Sequence, residues 1–405
     1  MEDKVEIKPA KVVMGELLGK HYEDAYKAKE NGEKVGWAAS NFPSEIAEAM
    51  DIKLLYPENH AAAVAAKKGS LNMCEYSESM GYSNDLCAYA RINLAYMDIK
   101  HCEELNMPMP DFVLCCNNIC NQMIKWYENL AYELKIPMIM VDIPYNYEDD
   151  ERPELIEYIR DQIDYAIKEL EKITGKKMDK NRLDKVMKIS CEARKAWSKV
   201  CSYTQYVPSP INGFELFNHM ALMVCAKGSQ STVDAMKLMA DEYEEKVQNG
   251  ESTYKGEQKY RILFEGIACW PFLKQTLIPL YEHNMNMVGT VYAAAFGNLF
   301  ETQDEFIKAY CSVPNAISFK RAVKLRTEVI EATKCDAAII HNNRSCKCWG
   351  GFLYSLEKAL IEETGIATVM FDGDQADSRN FSEAQYATRI QGLYEVLKSR
   401  KQEVR

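Results

Sequence analysis

The run DFVLCCNNIC, residues 111–120, is answered far downstream by DAAIIHNNRSC, residues 336–346. Each begins with an Asp and continues through an apolar run of strand length. Each then breaks into an Asn-Asn loop and places a Cys where a helix should open. A helical pattern follows in both cases, and then a second apolar run that closes on an Asp: IPMIMVD at 136–142 and IATVMFD at 366–372. Two β-loop-α-β units of this kind predict two related α/β halves. In open parallel sheets, ligands sit beyond the carboxyl ends of the strands, which is where Cys120 and Cys346 fall. The plainer alternative is that both cysteines merely pack at a helix start.

Working outward, further apolar runs have the length and Val/Ile content of buried parallel strands: 35–40, 52–56, 112–116, 137–143, 261–267, 285–291, 337–341 and 367–371. Helical patterns lie between them. Residues 154–174 place Leu155, Ile159, Ile163, Ile167 and Leu170 on one stripe with charged residues opposite. Residues 121–134 and 351–364 are similar and shorter. The expected architecture is α/β: two related parallel-sheet domains (Rossmann- or flavodoxin-like) plus a helical section. Their ranges are 1–150 for the first domain, 151–255 for the mainly helical section and 256–405 for the second domain.

Composition narrows the function classes. Of the 405 residues, 47% are hydrophobic and 27% charged, values of an ordinary globular protein with large cores. A formal net charge of −11 argues against nucleic acid as main partner, because phosphate binding is driven by clustered Lys and Arg. No run reaches the length of a membrane span, and the charged first 20 residues lack the apolar region of a secretory signal, so a cytoplasmic protein is expected. In a reducing compartment the 14 cysteines should be thiols, metal ligands or catalytic groups, most of them plain core residues.

A third cysteine resembles the first two in its company. SNDLCAYAR at 83–91 reads as a helix start capped by Ser83, Asn84 or Asp85, which should lower the Cys87 pKa. Three thiolates from three loops suit an iron–sulfur cluster with one iron lacking a cysteine. Zinc is the rival, although Cys116 and Cys120 have no second C-x₂₋₄-C pair to match them. Asp372, Asp374 and Asp377 lack the spacing of a calcium loop and read as a strand-end turn. His341 reads as a satisfied histidine; Trp37 and Tyr56 either line a pocket or pack in the core.

Longer motifs carry a resemblance. VGWAASNFP (35–43), LYPENH (55–60), DLCAYAR (85–91), LCCNNICNQMIKWY (114–127), NRSCK (343–347) and FDGDQAD (371–377) closely resemble the alpha-type subunit of the (R)-2-hydroxyacyl-CoA dehydratase family of anaerobic bacteria, over nearly the whole chain. The resemblance implies that Cys87, Cys120 and Cys346 ligate a [4Fe–4S] cluster whose fourth iron takes water and then substrate oxygen. It implies that Ser40 and Glu58 are catalytic and flank the departing hydroxyl; without it, Ser40 would be a helix cap and Glu58 a surface carboxylate. His60 stands where one relative has Gln and is not assigned a catalytic part. The implied reaction is a radical one: reduction of the thioester to a ketyl, loss of the α-hydroxyl, loss of the β-proton, and return of the electron, leaving an enoyl-CoA. The implied partners are a second homologous subunit in a heterodimer and an ATP-dependent iron–sulfur activator. The nearest approach to a P-loop, GELLGKH at 15–21, is one residue short and has His in place of Ser or Thr. A benzoyl-CoA-reductase-like subunit, an electron-transfer subunit and a scaffold are the alternative readings.

Overall fold

The computed structural model describes residues 8–147 and 152–403. Eight strands form two separate, wholly parallel four-stranded sheets. The first contains Val35–Ala38 (β1), Lys53–Leu55 (β2), Phe112–Cys116 (β3) and Met138–Val141 (β4); the second contains Tyr260–Glu265 (β5), Met285–Gly289 (β6), Ala337–Asn343 (β7) and Ala367–Gly373 (β8). Their orders are β2-β1-β3-β4 and β6-β5-β7-β8. Each sheet is therefore the same 2-1-3-4 arrangement, and all eight expected strands are present. Strands β1, β3, β5 and β6 are buried along their whole length, which explains their near-continuous apolar sequences.

The repeat noted in the sequence has a mechanical meaning. Asp111 exchanges bonds with Val35: its backbone N–H donates to the Val35 carbonyl at 2.7 Å, and its carboxylate accepts the Val35 N–H at 2.9 Å. Asp336 does the same to Arg261, at 2.7 Å for both bonds. Each Asp thus clamps the foot of the central strand pair. At the other end, the Asn117 amide donates to the Asp142 carboxylate, and the Asn342 amide donates to Asp372 at 2.7 Å. These bonds tie the carboxyl end of one strand to that of the next.

Helices Pro153–Thr174, Lys180–Ser202 and Gln230–Asn249 form the section between the sheets. Their ends follow local rules: Pro153 at the first turn, Asp179 and Ser229 as side-chain caps, and Gly175 and Gly250 in the left-handed conformation after the last turn. The inward stripe of Pro153–Thr174 is Ile156, Ile159, Ile163, Ala166 and Leu170. Leu155 and Ile167, expected on that stripe, are only partly buried at its edge. Here 3.6-residue periodicity leaves a one-residue choice at each end that neighbouring elements make. Among the described residues no helix is long and apolar enough to cross a membrane.

The carboxyl ends of the two sheets face each other. The backbone N–H of Ala88 donates to Ser345 Oγ at 3.0 Å, the Asn118 amide donates to the Tyr310 carbonyl at 3.0 Å, and the Trp270 indole donates to the Tyr89 hydroxyl. Behind this seam, fully buried Glu45 pairs with Arg194 at 3.3 Å and accepts the hydroxyls of Ser190 and Tyr310. The Glu45 carboxyl lies at about 2: burial opposes ionisation, but Lys227 and Arg194 more than offset it.

Candidate active site

In each sheet the chain order reverses between the two central strands, so the loops after β1 and β3, and after β5 and β7, splay apart and leave a crevice. One cavity joins the two crevices. It is lined by Ser40 and Asn41 after β1, Cys120 after β3, Ile267 after β5 and Cys346 after β7, with Glu58 from the first turn of the helix after β2 and Cys87 from the start of the helix before β3. All five residues singled out in the sequence (Ser40, Glu58, Cys87, Cys120 and Cys346) line this one space. Gly266, at φ +119°, makes the turn out of β5 in a conformation that favours glycine. A Cβ on Gly373 would lie 2.5 Å from His341 Nε2, so only glycine lets that ring fit under the end of β8.

Cys87, Cys120 and Cys346 share one local geometry. Each is the residue immediately before the first turn of a helix: Ala88–Ile99, Asn121–Leu134 and the short Lys347–Gly350. The cap of the first helix is thus Cys87 itself and not Ser83, Asn84 or Asp85; Ser83 only accepts the N–H of Asp85 within the preceding turn. Backbone N–H groups of Ala90 and Tyr89 favour thiolate at Cys87, as do those of Met123 and Gln122 at Cys120 and that of Trp349 at Cys346. These dipoles do not lower the pKa values as expected. Burial dominates and pushes Cys87 up to about 12, with Cys120 and Cys346 also raised. Three neighbouring half-buried thiols oriented this way are poor as bare thiolates and well suited to a positively charged centre that displaces their protons.

Among the described residues no three His, Cys, Asp or Glu side chains converge on a point for a single metal ion. The three thiols instead surround a volume. That arrangement suits a polynuclear group, in which each thiolate meets a different metal atom, better than a zinc ion. Cys348 also lines the cavity, but its S–H donates to the Ile119 carbonyl at 3.1 Å; Cys115 and Cys116 are buried in β3. Apart from Cys348, the thiols that line the cavity are those of Cys87, Cys120 and Cys346.

Glu58 opens the helix Pro57–Ala66, and its carboxylate takes the Ser40 N–H at 2.9 Å and the Tyr127 hydroxyl at 3.1 Å. Burial raises its pKa, and the bonds from Ser40 and Tyr127 only partly offset that. The carboxyl is therefore tuned towards holding a proton, beside a serine hydroxyl on the same wall. Ser40 does not cap the helix Glu45–Ala49, whose first turn is preceded by Ser44.

Several site residues had no sequence signal of their own. Tyr127 orients Glu58, the Gln375 amide donates to Cys87 Sγ at 3.2 Å, and Ser345 links the Cys346 loop to the Cys87 helix. Asp374, read from the sequence as part of a turn, accepts the N–H groups of Ser345, Ala376 and Asp377 at 2.9–3.0 Å. Trp37 packs in the core with its indole on the Pro108 carbonyl, and Tyr56 is buried away from the cavity. His341 stacks on Phe371 at 4.7 Å and bonds the Ile267 carbonyl, as a structural histidine.

The fold and cavity define a two-sheet α/β protein with a thiol-lined cleft at paired switch points. The family described as 2-hydroxyglutaryl-CoA dehydratase, D-component, matches residues 39–397, and the chain belongs to it. It is 60% identical to the (R)-phenyllactyl-CoA dehydratase alpha subunit of Clostridium sporogenes over 98% of both chains. It is 49% identical to the (R)-2-hydroxyisocaproyl-CoA dehydratase alpha subunit of Clostridioides difficile, again over 98% of both. The (R)-2-hydroxyglutaryl-CoA dehydratase subunit alpha of Acidaminococcus fermentans is 39% identical over 97% of this chain and 98% of its own. By class the protein is a dehydratase subunit, a hydro-lyase component.

Proposed function

We propose that this chain is the iron–sulfur subunit of a radical dehydratase that removes water from an (R)-2-hydroxyacyl-CoA, giving an (E)-2-enoyl-CoA through a ketyl radical. One observation carries the reading: three cap-position thiols from both halves of the chain line a single cavity with Ser40 and Glu58. Cys87, Cys120 and Cys346 would hold a [4Fe–4S] cluster, which supplies one-electron exchange and, at an iron without cysteine, a Lewis-acid position. Elimination breaks the α-carbon–oxygen bond and a β-carbon–hydrogen bond and forms a carbon–carbon double bond, with no net oxidation. Ser40 Oγ hydrogen-bonds the departing oxygen. Glu58, fixed by the Ser40 N–H and Tyr127, carries a proton on its carboxyl to that oxygen, and the carboxylate so formed takes up the β-proton, so that the two transfers sum to one water released. The apolar wall of Met123, Trp126, Tyr292, Phe296 and Trp349 keeps bulk water from a reactive intermediate.

The named relatives are alpha subunits, which supports a homologous second subunit as partner in a heterodimer. A separate ATP-dependent iron–sulfur activator would inject the first electron, since the sequence shows no P-loop. The test is an anaerobic assay of the purified heterodimer on a 2-hydroxyacyl-CoA. Enoyl-CoA should form only after activator, ATP and a reductant are added. Sustained dehydration without them, with carried-over electrons excluded, would overturn the radical route.

A further inference from the structure

Two further cavities share walls with the thiol-lined chamber. One lies beyond Ser40, Glu58, Tyr89, Tyr292 and Phe296 and is lined mainly by apolar and aromatic groups such as Ala62, Phe217 and Trp270. The other lies beyond Ala295 and Pro314 and is far larger, about 910 Å³, within the usual range of small-molecule sites. Its floor includes the apolar side chains of Ile317, Leu325 and Val329. Its cations are Lys320, Arg321 and Lys324, early in the helix Phe319–Thr333.

The charges of this cavity are unusual for the chain. The protein has 60 acidic against 49 basic side chains, and many of its surface lysines have a carboxylate close by. Among the described residues, Lys320 and Arg321 form no ion pair, and Lys324 meets Glu328 only at 3.9 Å. Glu328 and Glu363 also line the cavity, leaving three cations against two carboxylates. By contrast, the thiol-lined chamber and the apolar side cavity are lined by no Lys or Arg among the described residues. A ligand with a neutral or apolar end and a polyanionic end therefore has one consistent orientation across the three spaces.

We propose that the nucleotide end of a coenzyme A thioester lies in the larger cavity, its phosphates on Lys320, Arg321 and Lys324 and its adenine on the apolar floor. The neutral pantetheine arm passes Ala295 and Pro314, and the acyl group reaches Ser40 and Glu58. This rests on the reading of the substrate as a coenzyme A thioester and adds which face of the molecule receives it. Calorimetric titration of the purified complex with free coenzyme A, 3′-dephospho-coenzyme A and pantetheine tests it. The variant is K320Q/R321Q/K324Q, three surface changes that should leave the unfolding midpoint and iron content untouched. Removing each charge-assisted bond to phosphate should weaken coenzyme A binding about tenfold. Pantetheine binding should stay within about twofold, and the salt dependence of coenzyme A binding should flatten. A control variant, K20Q/K53Q, alters a separate basic cleft lined by Lys20, Lys53 and Lys227 and should bind like wild type. Wild-type coenzyme A affinity in the triple variant, or weakened binding in the control instead, would overturn the placement alone. Failure of the wild type to bind coenzyme A would overturn the thioester reading together with it.

Discussion

Asp374→Asn should loosen the Cys346 loop and destabilise the fold together. The Asp374 side chain is fully buried. One carboxylate oxygen accepts the N–H groups of Ala376 and Asp377 at 2.9 and 3.0 Å, and the other accepts the Ser345 N–H at 3.0 Å. An amide of the same shape must turn its NH₂ towards one of these donors. In its better orientation it keeps the bonds to Ala376 and Asp377, without their charge assistance, and sets donor against donor at Ser345. Losing one charged bond costs about 1.5–3 kcal/mol, and weakening two others brings the total to roughly 2–4 kcal/mol. That is a large fraction of a total stability of about 5–15 kcal/mol. Ser345 also accepts the Ala88 N–H, so its displacement would disturb the Cys87 helix start as well. Urea unfolding followed by tryptophan fluorescence should show a clearly lower midpoint, and the purified variant should retain less iron. A midpoint and iron content equal to wild type would refute the idea that this carboxylate braces the thiol loops.

On the proposed reading Ser40→Ala and Glu58→Gln remove groups at the leaving oxygen and no ligand, so they should keep full iron yet lose about 10²–10⁴-fold in kcat; near-wild-type turnover in both would place the chemistry elsewhere. His60 is buried, bonded to the Leu105 carbonyl, and held neutral by burial with a pKa of about 4 against 6.5 when exposed. The unfolded chain takes up that proton first, so this contribution is intact above pH 6.5 and fades as pH falls towards 4, by up to ~3 kcal/mol. His60→Gln should flatten the stability profile in that window, and an unchanged slope would contradict the assignment. Among the described residues, Glu58 is the only carboxylate lining the thiol chamber and its apolar side cavity, and no Lys or Arg lines either. A substrate whose acyl chain ends in a second carboxylate should therefore be turned over at least about 10²-fold less efficiently than one ending in a phenyl or branched alkyl group. Equal kcat/KM for the two would show that the acyl chain lies elsewhere.

Much of the fold is legible in the residues. The two strand-loop-helix runs beginning at Asp111 and Asp336 predict paired sheets, because burial on both faces forces continuous apolar strands and the carboxyl-end loops must then be polar. The same repeat marks Cys120 and Cys346, which line the common cavity. Local rules are less sure where neighbours compete for one role. Ser83, Asn84 and Asp85 are all good caps, yet the chain turns helical only after Cys87, where the second half of the molecule supplies Ser345 as acceptor for the Ala88 N–H. The raised thiol pKa values are not legible either, because the depth of burial at Cys87 is set by packing against groups such as Gln375, 288 residues away. Tyr127 reaches Glu58 across 69 residues for the same reason, leaving no periodic or spaced signature.

Whether Cys87, Cys120 and Cys346 hold one cluster in this chain decides the rest of the chemistry. Iron and acid-labile sulfide, measured on anaerobically purified wild type and on each cysteine-to-alanine variant, test it most directly when Cys115→Ala, Cys116→Ala and Cys348→Ala are measured beside them. The wild type should contain about four irons and four sulfides attributable to this chain. They should be lost in the first three variants and retained in the last three. Full iron with an intact spectrum in the Cys87, Cys120 or Cys346 variant would contradict the assignment.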